Sequence, residues 1–388
     1  MTHKDLPRRR LAALCCSCMF TGSSILMGPA TCLGAIAADL GLESEAQKGL
    51  FLSASIWGLG VLMMPSGWLA DRLGFRLLLF ISALLQGLAL ILVSLAQEFW
   101  VALLGSFATG VGRGMVSAPM TSLLCAIYPD RRTQVTSLMH GFYYVGMIFI
   151  LALIMGLLEL EKSWRIIFQV LGALVFSYGI AALFVALPGP VRAAEQAGRT
   201  ALWAIVRRPI FLLLAASIFF SSITEMGPSS WLPYFIEEAS GASQTLSIAA
   251  LMIFGAIMAV GRISTGSVVQ RWGARRFFIG AGLLCSTSLI LTAFTTDTGL
   301  TIFLMCFMGL GISGVFPTIL GYAGDRFPQA GPSMFAILVS TAIAGGLLSP
   351  LGIGVVADAF GLHLAMAALA LAPLVFLILP QLIKESDR

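Results

Sequence analysis

The sequence predicts an all-α polytopic membrane protein, with twelve transmembrane helices forming two six-helix bundles related by pseudo-twofold symmetry. Three observations predict it. First, the 388 residues are 58% hydrophobic and only 11% charged, with a mean hydropathy of +0.95. A soluble domain carries about 25% charged residues, so lipid is the solvent this much apolar surface requires. Second, the apolar residues come in long runs such as 77–96 and 277–294, each close to the roughly 20 residues that cross a bilayer as a helix. Third, the chain repeats itself. Met27-Gly28-Pro29 returns as Met226-Gly227-Pro228. The same offset carries Gly67, Arg72, Gly74 and Arg76 onto Gly266, Arg271, Gly273 and Arg275, Gly110 and Gly112 onto Gly309 and Gly311, and Gly146 onto Gly345.

Short polar turns divide the apolar runs into helices over 11–39, 46–70, 76–96, 99–128, 133–158 and 163–187, then 209–236, 245–269, 275–296, 299–322, 332–357 and 361–383. Lys4, Arg8, Arg9 and Arg10 precede the first run as they would in a signal peptide. That run continues to about Ala38, well past a signal peptide's roughly 7–15 apolar residues, so it reads as an uncleaved helix. The only long polar connection is Pro188 to Arg208. It gives an N-terminal bundle over 1–187, a cytoplasmic linker over 188–208 and a C-terminal bundle over 209–388.

The basic residues set the orientation. With both termini in the cytoplasm, only five of the 23 Lys and Arg lie off the cytoplasmic side: Lys48, Lys162 and Arg165 outside, Arg113 and Arg262 within helices. This is the positive-inside pattern. It accounts for the net charge of +5 as loop anchoring and gives no nucleic-acid surface, since no aromatic-basic interleaving accompanies it. The seven cysteines are scattered through apolar runs and suggest no disulfide framework. Cys15, Cys16 and Cys18 have no further ligand nearby in sequence, so neither a metal nor a cofactor is expected.

The motifs resemble one family. "GWLADRLGFR", Gly67 to Arg76, resembles the loop between helices two and three of the major facilitator superfamily, and "GSVVQRWGARR" is similar to its weaker second-half copy, with Gln270 in the aspartate place. "SWRIIF", Ser163 to Phe168, is similar to the Trp-Arg-x-x-Phe that opens helix six in that family. The resemblance spans essentially the whole chain. It implies two bundles around a central cavity, alternating access by rocking, and a gate role for Gly67, Asp71, Arg72, Gly74, Arg76, Arg271 and Gly273. Asp71 sits at a cytoplasmic helix end, where it either latches the gate by pairing with a cation or a helix N-terminus, or simply caps a turn.

Gly28-Pro29 and Gly227-Pro228 fall near the middle of helices one and seven. Proline removes a backbone hydrogen bond there, so a kink or hinge is expected in both. Helices one and seven line the cavity in the family that the loop resembles.

Four ionisable residues lie inside predicted helices: Arg113, His140, Glu225 and Arg262. Their repeat partners Ile312, Val339, Leu26 and Met63 are all apolar. A charge at membrane depth costs roughly 2.5–3.5 kcal/mol on insertion scales, so each should face a cavity and find a partner. Glu225 is the only acid at depth. It carries a coupled proton, or it is the static partner of an arginine. Its neighbourhood, a glutamate ahead of Trp-x-Pro-Tyr, is similar to fucose-permease-like sugar symporters. Arg113 can grip a carboxylate by two hydrogen bonds, or pair with Glu225. Arg262 reads first as a structural gate contact. His140 relays protons or holds a backbone carbonyl. Tyr143, Tyr144, Trp57 and Trp231 are candidate substrate contacts, with helix packing as the alternative.

Two arginines and one glutamate leave a positive charge at depth that an anionic substrate would neutralise. The chain contains no asparagine, which disfavours a neutral sugar. A proline-bearing antiporter motif is missing from 133–158. The expected function is therefore proton-coupled secondary transport of a small organic anion or sugar-derived solute across a bacterial inner membrane, by a monomer whose partners are solute, protons and lipid. Neutral sugar symport and drug efflux are the alternatives. A membrane sensor would need a signalling domain, and an enzyme a nucleophile or metal set at depth.

The orientation has a direct check. Single cysteines at Glu43, Glu161 and Glu237, in a cysteine-free background, should react with an impermeant maleimide added to intact cells. Protection of all three contradicts the assigned topology.

Overall fold

In the computed structural model the described residues are 8–63, 65–128, 132–185, 187, 207–327 and 331–382. The cytoplasmic linker expected at 188–208 lies almost wholly outside them. The helices are α1 (Arg8–Gly22), α2 (Ser24–Thr31), α3 (Leu33–Leu40), α4 (Glu45–Met63), α5 (Ser66–Leu95), α6 (Phe99–Ile127), α7 (Arg132–Glu159) and α8 (Trp164–Phe184). There follow α9 (Pro209–Ser240), α10 (Gln244–Trp272), α11 (Ala274–Ala293), α12 (Thr298–Ser313), α13 (Val315–Arg326), α14 (Gly331–Phe360), α15 (Leu362–Ala368), a 3₁₀ segment Leu369–Leu374, and α16 (Val375–Leu382). No strand occurs among the described residues.

Among the described residues ten stretches are long and apolar enough to cross a membrane. The second and twelfth spans complete the twelve. Glu45, Gln47 and Lys48 lower the hydropathy of α4, and the last span is divided into α15, the 3₁₀ segment and α16. The chain divides into two compact units: Met1–Glu43 with Leu50–Ala194, and Ser44–Gly49 with Glu195–Arg388.

The repeat seen in the sequence is a repeat of backbone contacts. In the first unit α1 packs on α7, and in the second α9 packs on α14. A Cβ on Gly146 would strike the carbonyl oxygen of Phe20, and one on Gly345 would strike that of Phe219. Phe20 and Phe219 are themselves related by the repeat offset. Likewise a Cβ on Gly112 would lie 2.6 Å from Gln86 Cγ and one on Gly311 2.9 Å from Cys285 Sγ, again at matching positions. Small residues let helices approach closely where apolar burial alone gives no drive, because lipid is as apolar as the side chains. The loop glycines match too: Gly74 has φ 73° and ψ 156°, and Gly273 has φ 78° and ψ 150°. Both lie in a region open to glycine and strained for other residues.

Proline shapes the spans in different ways. The first span is interrupted at Ser23 and at Cys32, on either side of Gly28-Pro29. In contrast, α9 stays helical through Gly227-Pro228 and Pro233. Its glycine serves approach: a Cβ on Gly227 would meet Ser349, whose hydroxyl donates to the Ile223 carbonyl at 2.9 Å. In the second span the helix breaks at Pro65, and the turn into the third span comes at Gly74.

If the matched glycines set helix separation, Gly146→Ala and Gly345→Ala should each destabilise the protein by about 1–3 kcal/mol, the usual cost of overpacking. Thermal unfolding in detergent should show both midpoints falling by similar amounts. Gly280→Ala, where nothing lies within 4 Å of the new methyl, should leave the midpoint in place. Equal midpoints for all three variants would contradict the packing assignment.

Candidate functional site

Each unit places its charges at depth differently. In the second unit, α9 presents Glu225 and α10 presents Arg262, and Arg262 Nη2 donates to Glu225 Oε1 at 2.6 Å. The side chains are 11% and 29% exposed. A pair this sheltered is held by strong attraction, set against a large loss of hydration.

In the first unit, Arg113 leaves α6 toward α1 and α7. Its guanidinium lies 5.5 Å from the Tyr143 ring centroid, and Nη2 lies 3.9 Å from Met19 Sδ. Nη1 occupies the space that a side chain at residue 22 would fill, so Gly22 is the notch that admits it. Tyr144 stands edge-on to Tyr143 at 5.5 Å. Among the described residues Arg113 forms no ion pair. A guanidinium against an aromatic face keeps its in-plane N–H donors available.

Behind Gly112, three buried polar side chains join α5, α6 and α8. Ser82 Oγ donates to the Gly112 carbonyl at 2.8 Å. Tyr178 Oη lies 3.0 Å from Ser82 Oγ, and Gln86 Nε2 donates to Tyr178 Oη at 2.8 Å and to Ser82 Oγ at 2.7 Å. None of the three is among the site candidates read from the sequence.

The remaining candidates are dispersed. Trp231 is fully buried in the second unit, and its indole N–H donates to the Pro350 carbonyl at 3.0 Å. It holds α9 to α14 and offers a solute no surface in this conformation. Trp57 is 40% exposed. His140 lies on α7, and its side chain falls outside the described residues. Asp71 makes no ion pair among the described residues. Arg72 stacks on Trp68 at 4.3 Å, and Arg76 Nη2 donates to the Val185 carbonyl at 3.3 Å. Arg271 lies in the last turn of α10 and Gly67 is exposed. Gly28 packs on Leu171 and Phe168. Among the described residues no group of three or more His, Cys, Asp or Glu stands together to hold a metal ion.

Two further polar clusters escaped sequence reasoning. In the first unit, Arg165 ties Asp39 Oδ2 (2.9 Å) to the carbonyls of Ser94 (2.9 Å) and Ala96 (2.6 Å), while Trp164 Nε1 donates to the same carboxylate at 3.1 Å. The Trp-Arg pair of "SWRIIF" thereby ties the end of α5 to the end of α3. In the second unit, Asp358 at the end of α14 accepts from Glu45 N (2.6 Å), Ala46 N (3.0 Å) and Ser44 Oγ (2.8 Å). Lys48 bonds both Glu45 and Tyr234. Ser44 with Gln47 is a capping box, which the sequence "SEAQ" does signal; the carboxylate that completes it comes from far along the chain.

The model of the Major Facilitator Superfamily matches residues 12–331 and 264–387. This chain belongs to the major facilitator superfamily. It is accordingly a multi-pass membrane transporter of small molecules, and not an enzyme. Over the whole chain the likeness extends to a solved structure, the crystal structure of a bacterial homolog to the human lysosomal transporter Spinster in an inward-facing and unoccupied conformation. That likeness has TM-score 0.78 and 15% identity, covering 97% of each chain. Among curated relatives, the cis,cis-muconate transport protein of Acinetobacter baylyi is 23% identical over 92% of this chain and 89% of its own length. The gentisate transporter of Corynebacterium glutamicum is 26% identical over 96% and 89%. The multidrug resistance protein MdtL of Salmonella typhimurium is 32% identical, over 42% of this chain and 41% of its own length.

In this facilitator the ion pair can be tested by borrowing from the repeat, which has Leu26 and Met63 at the matching places. Glu225→Leu or Arg262→Met alone should lower stability by about 2–3 kcal/mol, below the roughly 3–5 of a fully buried broken pair because Arg262 is partly exposed. The double variant should regain most of it. A double variant as unstable as the sum of the single ones would show that the pair is not the interaction being broken.

Proposed function

We propose that this transporter moves small organic anions, planar carboxylates in particular, together with a proton. The observation that carries the reading is the division of partners. Glu225, the only acid at depth, is engaged by Arg262, whereas Arg113 has an aromatic face and a sulfur beside it but no carboxylate among the described residues. That leaves the guanidinium as the receptor for a substrate carboxylate. Tyr143 supplies ring surface beside it, with Tyr144 edge-on to that ring, and Trp57 is a further candidate contact. Muconate and gentisate, the solutes in the names of two relatives, are both planar conjugated carboxylates. The likeness to MdtL supports efflux as a second reading, over less than half of the chain.

Glu225 is the proton carrier in this reading. Protonation removes its charge and releases Arg262 from the ion pair. His140 is the second candidate carrier. The bundles flex through the Gly-Pro segments of the first and seventh spans, and the Gly67–Arg76 and Gly266–Arg275 loops gate the cytoplasmic side, with both termini in the cytoplasm.

Proteoliposomes with gentisate and muconate as probes separate the roles. Arg113→Lys should weaken binding and Arg113→Ala nearly abolish it, since a point charge replaces a two-pronged donor poorly. Glu225→Gln mimics the protonated acid, so it should still exchange labelled anion by counterflow while losing accumulation driven by a pH gradient. Wild-type gradient-driven uptake in Glu225→Gln would remove Glu225 from coupling. Undiminished binding of a neutral solute by Arg113→Ala, with no anion binding in the wild type, would favour the efflux or sugar reading.

A further inference from the structure

The repeat supplies an internal control for the buried polar side chains behind Arg113. Ser82, Gln86 and Tyr178 correspond to Ala281, Cys285 and Leu377, and Arg113 corresponds to Ile312. The helix contact itself is the same in both units. Gly112 sits on Gln86 and the Ser82 carbonyl, and Gly311 sits on Cys285, Leu284 and the Ala281 carbonyl. The second unit thus builds this helix crossing with apolar and weakly polar side chains. Packing does not need the serine, the amide or the phenol. They occur where the arginine occurs.

Their hydrogen bonds run in one direction. Ser82 uses its only proton on the Gly112 carbonyl. Tyr178 must therefore donate to Ser82 Oγ, because their oxygens are 3.0 Å apart and one of them has to supply the hydrogen. Gln86 Nε2 has two protons, one for Tyr178 Oη and one for Ser82. The chain Gln86 to Tyr178 to Ser82 ends on the backbone of α6 one residue before Arg113. All three side chains are at least 97% buried, so they are confined to these partners, and a broken link would strand a polar group. Residues 112 and 113 lie about 100° apart around the helix. The relay therefore grips one side of α6 while the guanidinium departs from another, toward Gly22, Met19 and Tyr143.

We infer that Ser82, Gln86 and Tyr178 are positioning residues for Arg113, fixing the rotation and height of α6 so that the guanidinium stays seated in the Gly22 notch beside Tyr143. The binding consequence rests on the reading of Arg113 as the anion receptor; the positioning itself does not.

The test replaces the relay with the residues of the other repeat, Ser82→Ala, Gln86→Cys and Tyr178→Leu together, with Tyr178→Phe as the minimal variant that breaks the relay in the middle. Two readouts are taken on the full-length protein. The first is the rate of phenylglyoxal adduct formation at Arg113, measured by mass spectrometry relative to Arg262 in the same molecules. It needs no substrate. The second is the Kd for gentisate and for muconate. The triple variant should keep its thermal midpoint within a few degrees, because the second unit packs with those residues. Its Arg113-to-Arg262 adduct ratio should change several-fold, and its Kd should rise about tenfold. Tyr178→Phe should move both readouts in the same direction by less, and it decides the question should the triple variant fail to assemble. An unchanged adduct ratio overturns the positioning role, as does an unchanged Kd in a protein whose wild type binds the probe. A wild type that binds neither probe would fell the anion reading alone, leaving the adduct ratio to decide the positioning role.

Discussion

The contact between Glu225 and Arg262 organises the chemistry of this transporter, because charge at membrane depth is scarce and every unit of it must be answered. An isolated ion there is held only at a cost of several kcal/mol. Glu225 and Arg262 meet this demand in the second unit with a 2.6 Å contact. In the first unit Arg113 has tyrosine, methionine and a glycine notch beside it, and no carboxylate among the described residues. In the proposed function these are the two elements that coupled anion transport needs: a pair that a single proton can break and a cation that a single carboxylate can satisfy.

The two halves divide the labour between frame and chemistry. What they share is backbone: the Gly146–Phe20 and Gly345–Phe219 contacts, the Gly112 and Gly311 crossings, and the positive φ of Gly74 and Gly273. What they do not share is every ionisable group at depth and every polar side chain of the Ser82–Gln86–Tyr178 relay. A repeated frame with unrepeated charge is a direct way to separate what holds the helices together from what acts on the solute. Each apolar partner shows the fold is satisfied without the charge.

Most of the frame was legible in the sequence, since hydropathy gives the spans and an offset of matched glycines and arginines gives the repeat. The four ionisable residues were legible too, because a charge in an apolar run stands out. Pairing was not. Glu225 and Arg262 are on different helices, and the rotation of each about its axis decides whether they meet. Hydropathy carries no such angle. The same blindness hid Asp358, whose carboxylate caps α4 from far along the chain, and the bond from the Trp231 indole to the Pro350 carbonyl. Proline leaves different marks on the spans: the helix breaks at Pro65, whereas α9 stays helical through Pro228, where the glycine beside it admits Ser349. The relay behind Arg113 carried a faint signal, a glutamine, a serine and a tyrosine whose repeat partners are cysteine, alanine and leucine. Only the packed helices show that they touch.

Proton uptake on anion binding is the direct measure of coupling through Glu225. Calorimetric titration of purified protein with gentisate, in two buffers of different ionisation enthalpy, gives the number of protons taken up for each anion bound. Net proton uptake should accompany anion binding in the wild type and be absent in Glu225→Gln, which should still bind the anion. Anion binding with no proton uptake, or with the same uptake in Glu225→Gln, would contradict that coupling.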